Sequence, residues 1–420
     1  MIRIMSTNLL PDICAREIKG LHRGLIFPKR HGPFSYSSNG TGSIWSDLSP
    51  PKRIWGIKMR RIALFINSLQ KGGSERVMAN LAEYFYGKGY EVILVTQYKK
   101  EVEYEIPAGI RRVYSEPEEE RLQGGRLHNF LERFHTLRGI WKAYKPDVVL
   151  SFLGKNNLMA ILAAAFLPVK TAVSVRGEPT MEYEGSKMQA VAKLLFSHAN
   201  GVILQTGQAK AFFPKRVQQK AVILPNPLNP LFLRERYTGE KEEVIAAAGR
   251  LDDNKNHAML IRAFSMIEQE FPKIKLVIYG EGESREKLEE LVSEMGLQKK
   301  VELPGSVSDV AAHIEKVRIF TLTSYTEGMP NSVIEAMCLG LPVIATDCPC
   351  GGPAELIKNG DNGLLVPVGD EKALAEAIRK ILSDPELEKR LGDQAFRIQE
   401  QMEPQKVCRM WEEYLNGLSV

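Results

Sequence analysis

Arg60–Gln97 reads RRIALFINSLQKGGSERVMANLAEYFYGKGYEVILVTQ. The run RRIALFIN is apolar without alternation, which suits a strand buried on both faces. SLQKGGSE is a glycine-bearing loop, and RVMANLAEYFYGKG is an amphipathic helix with a glycine stop. YEVILVTQ is a second buried strand. Apolar strands alternating with helices in this way specify a parallel sheet with helices on its faces.

The alternation continues in both directions of the argument. Downstream come the strand PDVVLSF (Pro146–Phe152), a helix at Asn156–Phe166, the strand VKTAVSV (Val169–Val175), a helix near Ser186–His198, and the strands GVILQT and KAVILP. PNPLNPLF, Pro225–Phe232, then forms a proline-rich joint that continues neither kind of element. A second series follows in EVIAAAGRL, KLVIYGEG, KVELPGSV, VRIFTLTS, LPVIATD and GLLVPVG, separated by helical patterns. Three helices close the chain, the last near Gln405–Leu418. The fold class expected is α/β: two doubly wound, Rossmann-like parallel-sheet domains joined at about residue 226 and facing each other across a cleft, because ligands on such sheets sit beyond the carboxyl ends of the strands. Residues 1–58 differ. KRHGPFSYSSNGTGSIWSDLSPPKR is rich in Ser, Gly and Pro without periodicity, as in a poorly ordered extension or an upstream start before Met59.

At 420 residues the chain exceeds one ordinary core. With 44% hydrophobic and 25% charged residues it has a globular composition. No uninterrupted apolar run reaches the ~20 residues of a spanning helix, and no secretory signal is evident. The five cysteines are scattered and lack zinc-finger spacing, so no metal site is expected. The net charge is +5, unevenly placed: residues 1–225 hold 33 Lys and Arg against 18 Asp and Glu, whereas the rest hold 23 against 33. Such asymmetry suits an anionic partner for the first half, either a phosphorylated substrate or an acidic membrane leaflet. Nucleic acid is not expected, because no binding module accompanies the charge.

Chemistry concentrates at strand ends of the second series. Arg250 and Lys255 occupy one strand-to-helix turn, a fork and a point charge suited to a diphosphate. Gly280 and Gly282 at the next strand end, and Gly305–Val307 one strand later, leave backbone that a flat ring can approach. In SYTEGMPNSVIEAMCLGLPVIATD, Ser324–Asp347, Pro330 suits the first helical position and Gly340 the stop. Glu327, Gly328, Met329, Pro330 and Asn331 thus lead into a helix N-terminus whose N–H groups can cradle phosphate, and Glu335 can accept hydrogen bonds from a ribose diol. Together these describe a nucleoside-diphosphate pocket.

With Gly72-Gly73 followed by Glu75-Arg76, Arg250 with Lys255, E-x7-E at Glu327 and Glu335, and the segments CPCGGPAELI and NGLLVPVGD, residues 59–418 resemble a retaining glycosyltransferase of family 4 with the GT-B fold. The resemblance implies an acceptor-binding domain at 59–225, rejoined by helix 405–418, and a donor-binding domain at 226–404. It implies that Arg250 and Lys255 bind the donor diphosphate and stabilise the departing charge, Glu327 the sugar hydroxyls and Glu335 the ribose, with Gly73 approaching the phosphates from the other domain. No metal or other cofactor is implied beyond the nucleotide-sugar co-substrate, expected to be UDP-linked. Glu75, Arg76, Arg176 and Glu178 are candidates on the acceptor side. Many family members carry a His near the end of a first-domain strand, where SVRGEPTMEYEG here places Arg176 and Glu178. In this it resembles the subgroup acting on polyprenyl-diphosphate-linked sugars in polysaccharide or glycan biosynthesis. Alternatives are another GT-B enzyme, such as a sugar-nucleotide epimerase, and a degenerate, non-catalytic sugar-nucleotide-binding protein.

The expected location is cytoplasmic, with peripheral attachment to the inner face of the cell membrane as an option. On a helix near Leu127–Trp141, Phe130, Phe134, Leu137 and Trp141 recur at three- and four-residue steps. The stripe either faces the core or lies on an anionic leaflet.

Overall fold

The computed structural model describes residues 60–70 and 72–418. The expectation for residues 1–58 therefore lies outside the described residues. The first sheet comprises β1 (Arg61–Ile66), β2 (Glu91–Thr96), β3 (Arg111–Tyr114), β4 (Val148–Phe152), β5 (Lys170–Ser174), β6 (Gly201–Leu204) and β7 (Ala221–Ile223). The second comprises β8 (Glu242–Ala248), β9 (Lys275–Tyr279), β10 (Val301–Gly305), β11 (Val317–Leu322), β12 (Val343–Thr346) and β13 (Leu364–Val366). Their orders are β3-β2-β1-β4-β5-β6-β7 and β10-β9-β8-β11-β12-β13. Every pairing between these strands is parallel.

Each order reverses direction once, between β1 and β4 and again between β8 and β11. Loops leaving those neighbouring strands on opposite faces open a crevice at the carboxyl edge. The segments there are 67–70 and 72–73 after β1, Leu153 after β4, 249–255 after β8 and 323–327 after β11. Central strands are unbroken apolar runs because both faces are covered, and β4 is buried along its whole length. The edge strand β3 escapes sequence reading, since RRVY is half exposed and its Arg112 is drawn aside into an ion pair with Glu103 at 2.5 Å.

The chain closes with helices Glu371–Ser383, Pro385–Phe396, Gln399–Met402 and Pro404–Leu418, one short helix more than expected. The last belongs to the first sheet's core: Val407, Cys408, Trp411 and Leu415 pack with Leu81, Phe85, Phe152 and Leu224. The Trp411 indole N–H donates to the Pro225 carbonyl at 2.9 Å, and Tyr84 and Tyr90 hydroxyls donate to the Glu412 carboxylate at 2.7 and 2.5 Å. This helix therefore ties the chain's end to the joint at residue 225.

Helix Arg126–Tyr144 settles the aromatic stripe. Leu137 and Trp141 are buried against the sheet, with Trp141 edge-on to Phe65 at 6.1 Å. The second half of the stripe faces the core, with Phe134 half-buried beside it. Leu127, Phe130 and Leu131, in the first two turns, are exposed instead.

Trp411→Ala should cost about 3–5 kcal/mol of stability, the usual range for emptying a large aromatic site. Trp411→Phe, which keeps most of the volume and loses the bond to Pro225, should cost about 1–2 kcal/mol. Urea unfolding monitored by circular dichroism measures both. A wild-type midpoint for Trp411→Ala would mean that the helix does not anchor the first domain.

Candidate functional site

Two helix N-termini meet at the crevice, one from each sheet. Helix Gly73–Gly87 begins at the end of the β1 loop, and a Cβ on Gly73 would stand 3.4 Å from the Asn331 side-chain nitrogen. Helix Asn331–Cys338 begins one residue later than expected, with the extended Pro330 as its cap. It ends as anticipated: Gly340 has φ +72°, its N–H bonds to the Met337 carbonyl at 2.9 Å, and the Leu341 N–H bonds to the Ala336 carbonyl at 3.1 Å. This double bond pattern needs a left-handed residue, which glycine supplies without a Cβ clash. Within Glu327–Asn331, the Glu327 N–H is taken by the Pro349 carbonyl at 2.7 Å and the Met329 N–H by Gln205 at 3.0 Å. Gly328, Asn331 and Ser332 keep backbone N–H groups without a partner among the described residues, as the start of a helix dictates.

The turns after β8 and β11 are laced together because those strands are neighbours. Asp252 caps the turn at Asp253–Lys255 by accepting the Lys255 N–H at 3.0 Å. The Thr323 hydroxyl donates to the Lys255 carbonyl at 2.9 Å, and the Tyr325 N–H bonds to the Asn254 carbonyl at 2.8 Å. Lys255 and Glu327 are thereby brought together: Lys255 Nζ lies 2.5 Å from Glu327 Oε1, which also accepts the Ser324 hydroxyl at 2.6 Å. Arg250 is 72% exposed along its side chain and pairs with Asp252 at 3.0 Å.

Gly280 and Gly282 leave no room for a side chain. A Cβ on Gly280 would sit 1.8 Å from the Gly249 carbonyl oxygen, and one on Gly282 would sit 2.3 Å from that of Leu251. The neighbouring loop occupies their side-chain directions. Gly328 is constrained across the crevice, where a Cβ would meet the Arg176 carbonyl and Gln205 Oε1 at 2.3 Å.

Arg76 and Glu335 form an ion pair between the halves at 2.5 Å. Glu335 is only 6% exposed. Burial raises its pKa above the carboxylate value, and the Arg76 charge opposes that rise. Glu75 is raised by burial too, opposed by its own backbone N–H and by the charges of Arg250 and Arg176. Tyr104, from the segment between β2 and β3, is raised by burial and feels the charges of Arg76, Glu335 and Glu75. Sequence reasoning did not single out this tyrosine.

Arg176 is buried with its guanidinium 4.6 Å from the Phe152 ring centre and 5.8 Å from that of Trp411. Burial lowers its pKa to about 9, against the raising charges of Glu182 and Glu75. Its guanidinium hydrogen-bonds Asn226 Oδ1. Gln205 Nε2 donates to the same oxygen at 2.8 Å, and Asn226 Nδ2 donates to Asn331 Oδ1 at 2.6 Å. Gln205 and Asn226 were missed, and the one available signal was a polar residue held between two prolines in Pro225-Asn226-Pro227. Glu178 caps the short helix Pro179–Glu182 through Thr180. Glu182 organises the loop, accepting the N–H groups of Arg176 and Gly177 at 2.7 Å and of Gly154 at 3.0 Å.

His257 follows the Lys255 turn, buried, with one ring nitrogen 3.2 Å from the Arg250 carbonyl oxygen. Burial chiefly, and then the Lys255 charge, lower its pKa to about 4. The unfolded chain protonates His near pH 6.5 while the folded one resists, so this contribution to stability is complete above that value and drains away between pH 6.5 and 4. Between pH 7.5 and 5 the wild type should lose about 2 kcal/mol more unfolding free energy than His257→Gln. Parallel stability–pH curves for the two proteins would contradict the neutral, buried assignment.

With this geometry described, relatives become informative. Residues 71–230 match the family described as "Glycosyltransferase Family 4" and residues 232–397 the one described as "Glycosyl transferases group 1". The GalNAc-alpha-(1->4)-GalNAc-alpha-(1->3)-diNAcBac-PP-undecaprenol alpha-1,4-N-acetyl-D-galactosaminyltransferase of Campylobacter jejuni is 28% identical over 80% of this chain and 93% of its own. The N-acetylgalactosamine-N,N'-diacetylbacillosaminyl-diphospho-undecaprenol 4-alpha-N-acetylgalactosaminyltransferase of the same organism is 28% identical over 86% of this chain and all of its own. Among solved structures, Anabaena HepE in complex with UDP superposes with a TM-score of 0.72 at 17% identity, covering 86% of this chain and all of that one. Two parallel Rossmann-like sheets in this arrangement are the GT-B fold. The chain belongs to glycosyltransferase family 4 and is a glycosyltransferase.

Proposed function

We propose that the protein transfers a hexose or N-acetylhexosamine, with retention of configuration, from a UDP-linked sugar to a saccharide or polyprenyl-diphosphate-linked saccharide in cell-surface polysaccharide or glycan biosynthesis. The observation that carries this reading is the meeting of the helix N-termini at Gly73 and Asn331, with Lys255 on Glu327 just before the second helix and the Arg250 charge felt by Glu75 in the first. Two positive dipole ends and two cations at one place suit a diphosphate better than any neutral ligand. Supporting it, the Campylobacter relatives are named for undecaprenyl-diphosphate-linked sugars, and the Anabaena structure holds UDP.

In this reading the diphosphate lies between the two N-termini, Glu335 accepts the ribose hydroxyls and Glu327 the sugar hydroxyls. Lys255 pairs with Glu327 and faces the phosphates at the same time. As the anomeric C–O bond to the diphosphate breaks, negative charge grows where the dipoles, Arg250 and Lys255 already stand, which is preorganised electrostatic stabilisation. The acceptor hydroxyl attacks from the face the diphosphate leaves, and its proton passes to a phosphate oxygen. Protein side chains supply the positive charge in this scheme, and no metal or further cofactor is invoked.

Calorimetric titration with UDP tests the donor site. Lys255→Ala and Glu335→Ala should each weaken binding about 10- to 100-fold, the loss of one charge-assisted contact. Unchanged affinity in both folded variants would remove the assignment. Proton NMR of the product from an α-linked donor should show an α-glycoside, and a β-glycoside would contradict retention.

The same reading places the enzyme on the cytoplasmic face of the membrane, where a lipid-linked acceptor would be met. No helix among the described residues is long and apolar enough to cross a membrane. Exposed Leu127, Phe130 and Leu131 lie in the basic half of the chain. Co-sedimentation should show binding to anionic vesicles that falls with salt. Equal, negligible binding to anionic and neutral vesicles would point the positive charge at a soluble acceptor instead.

A further inference from the structure

Glu335 carries an unresolved demand. It is nine-tenths buried, its Oε1 has no hydrogen-bond donor aligned on it, and the Arg76 guanidinium 2.5 Å away is its counter-charge. A buried carboxylate with a single charged partner is costly, and extra hydrogen-bond donors relieve that cost. Arg76 comes from the opposite half, in the first turn of the helix whose N-terminus faces Asn331. Its helix begins where the diphosphate is assigned, and its guanidinium meets the carboxylate assigned to the ribose.

We propose that Arg76 is exchanged between two anions: it holds Glu335 until the ribose diol takes that carboxylate, and then turns its guanidinium onto the donor diphosphate. This rests on the assignment of Glu335 to the ribose. The chemistry favours the handover in both directions. Two ribose hydroxyls give Glu335 the aligned donors it lacks, while a phosphate offers the freed guanidinium a bidentate partner matched to its fork. A lysine could not serve both partners as well, being a point charge without that planar fork. The exchange makes donor binding depend on the phosphates as well as the base. A nucleoside alone must displace Arg76 and gains nothing in return, whereas a nucleoside diphosphate gives the arginine a new partner. Arg76 also links the halves, since its helix is on the first sheet and Glu335 is on the second, so the handover draws the first half onto the bound phosphates.

The test separates nucleoside from diphosphate. Wild type and Arg76→Gln are titrated at one pH with uridine and UDP, and with the guanosine and adenosine pairs alongside. In Arg76→Gln the nucleoside should bind about 3- to 10-fold more tightly, because its competitor for Glu335 is gone, and the diphosphate about 10-fold more weakly, because one charge-assisted contact is lost. The two changes must have opposite signs. Equal weakening of both ligands, or no change in either, would make Arg76 a merely structural partner and overturn the exchange. Arg76→Lys, which keeps a charge without the fork, should shift both affinities in the same directions by smaller factors and serves if Arg76→Gln fails to fold. Glu335→Gln distinguishes the underlying assignment. If it leaves nucleoside affinity untouched, the ribose site itself is wrong; if it lowers that affinity while Arg76→Gln shows no crossover, only the exchange is wrong.

Discussion

Asn226 holds the two halves in register. Its Oδ1 accepts from Arg176 and Gln205 of the first half, and its Nδ2 donates to Asn331 Oδ1 at 2.6 Å and to the Met329 carbonyl at 3.4 Å in the second. An amide has two acceptor sites and two donor protons, so its capacity is fully used. Its orientation follows, because a flipped amide would set N–H groups against the guanidinium of Arg176. The next residue back, Pro225, accepts the Trp411 indole, and Trp411 in turn flanks Arg176. The C-terminal helix, the joint, a buried cation and the start of the Asn331–Cys338 helix are thus one connected set. That set fixes where the helix N-terminus points, and on this the anion-binding geometry depends.

The charges of the crevice are arranged as pairs rather than as a basic patch. Lys255 meets Glu327 and Arg76 meets Glu335, with Arg250 reaching outward beyond Asp252. Such pairing lets a folded protein keep several cations close together without mutual repulsion. It also gives a ligand with both hydroxyls and phosphates a matching set of partners, hydroxyls for the carboxylates and phosphates for the cations. The Asn331 helix end carries no acidic residue in its first turn, whereas at the Gly73 end Glu75 offsets part of the dipole.

Much of the fold was legible because burial on both faces leaves unbroken apolar strands, as in IALFI and VVLSF. The edge strand β3 was not, since an edge needs no apolar face and RRVY carries two arginines. Of the site, Glu327, Glu335, Arg250 and Lys255 stood out by charge at strand ends. Asn226 and Gln205 did not, because a neutral amide becomes informative only when its four partners, distant in sequence, are known. Glu182 escaped notice for a related reason: it shares one acidic loop with Glu178, and only the fold shows which carboxylate meets three backbone N–H groups. Gly280 and Gly282 were noticed correctly as special, but a glycine tells only that something comes close, and here it is the loop after β8. The aromatic stripe of helix Arg126–Tyr144 was ambiguous because core-facing and membrane-facing helices share one periodicity.

The central claim is that the crevice seats a nucleoside diphosphate between the two helix N-termini. A crystal structure of the protein soaked with UDP measures this directly. The account predicts phosphate density between Gly73 and Asn331, within reach of Lys255 and Arg250, and the ribose on Glu335. Phosphate density instead in the pocket of about 390 Å³ lined by Asp252, Arg262, Ser284 and Lys287, which neither Gly73 nor Asn331 lines, would contradict it.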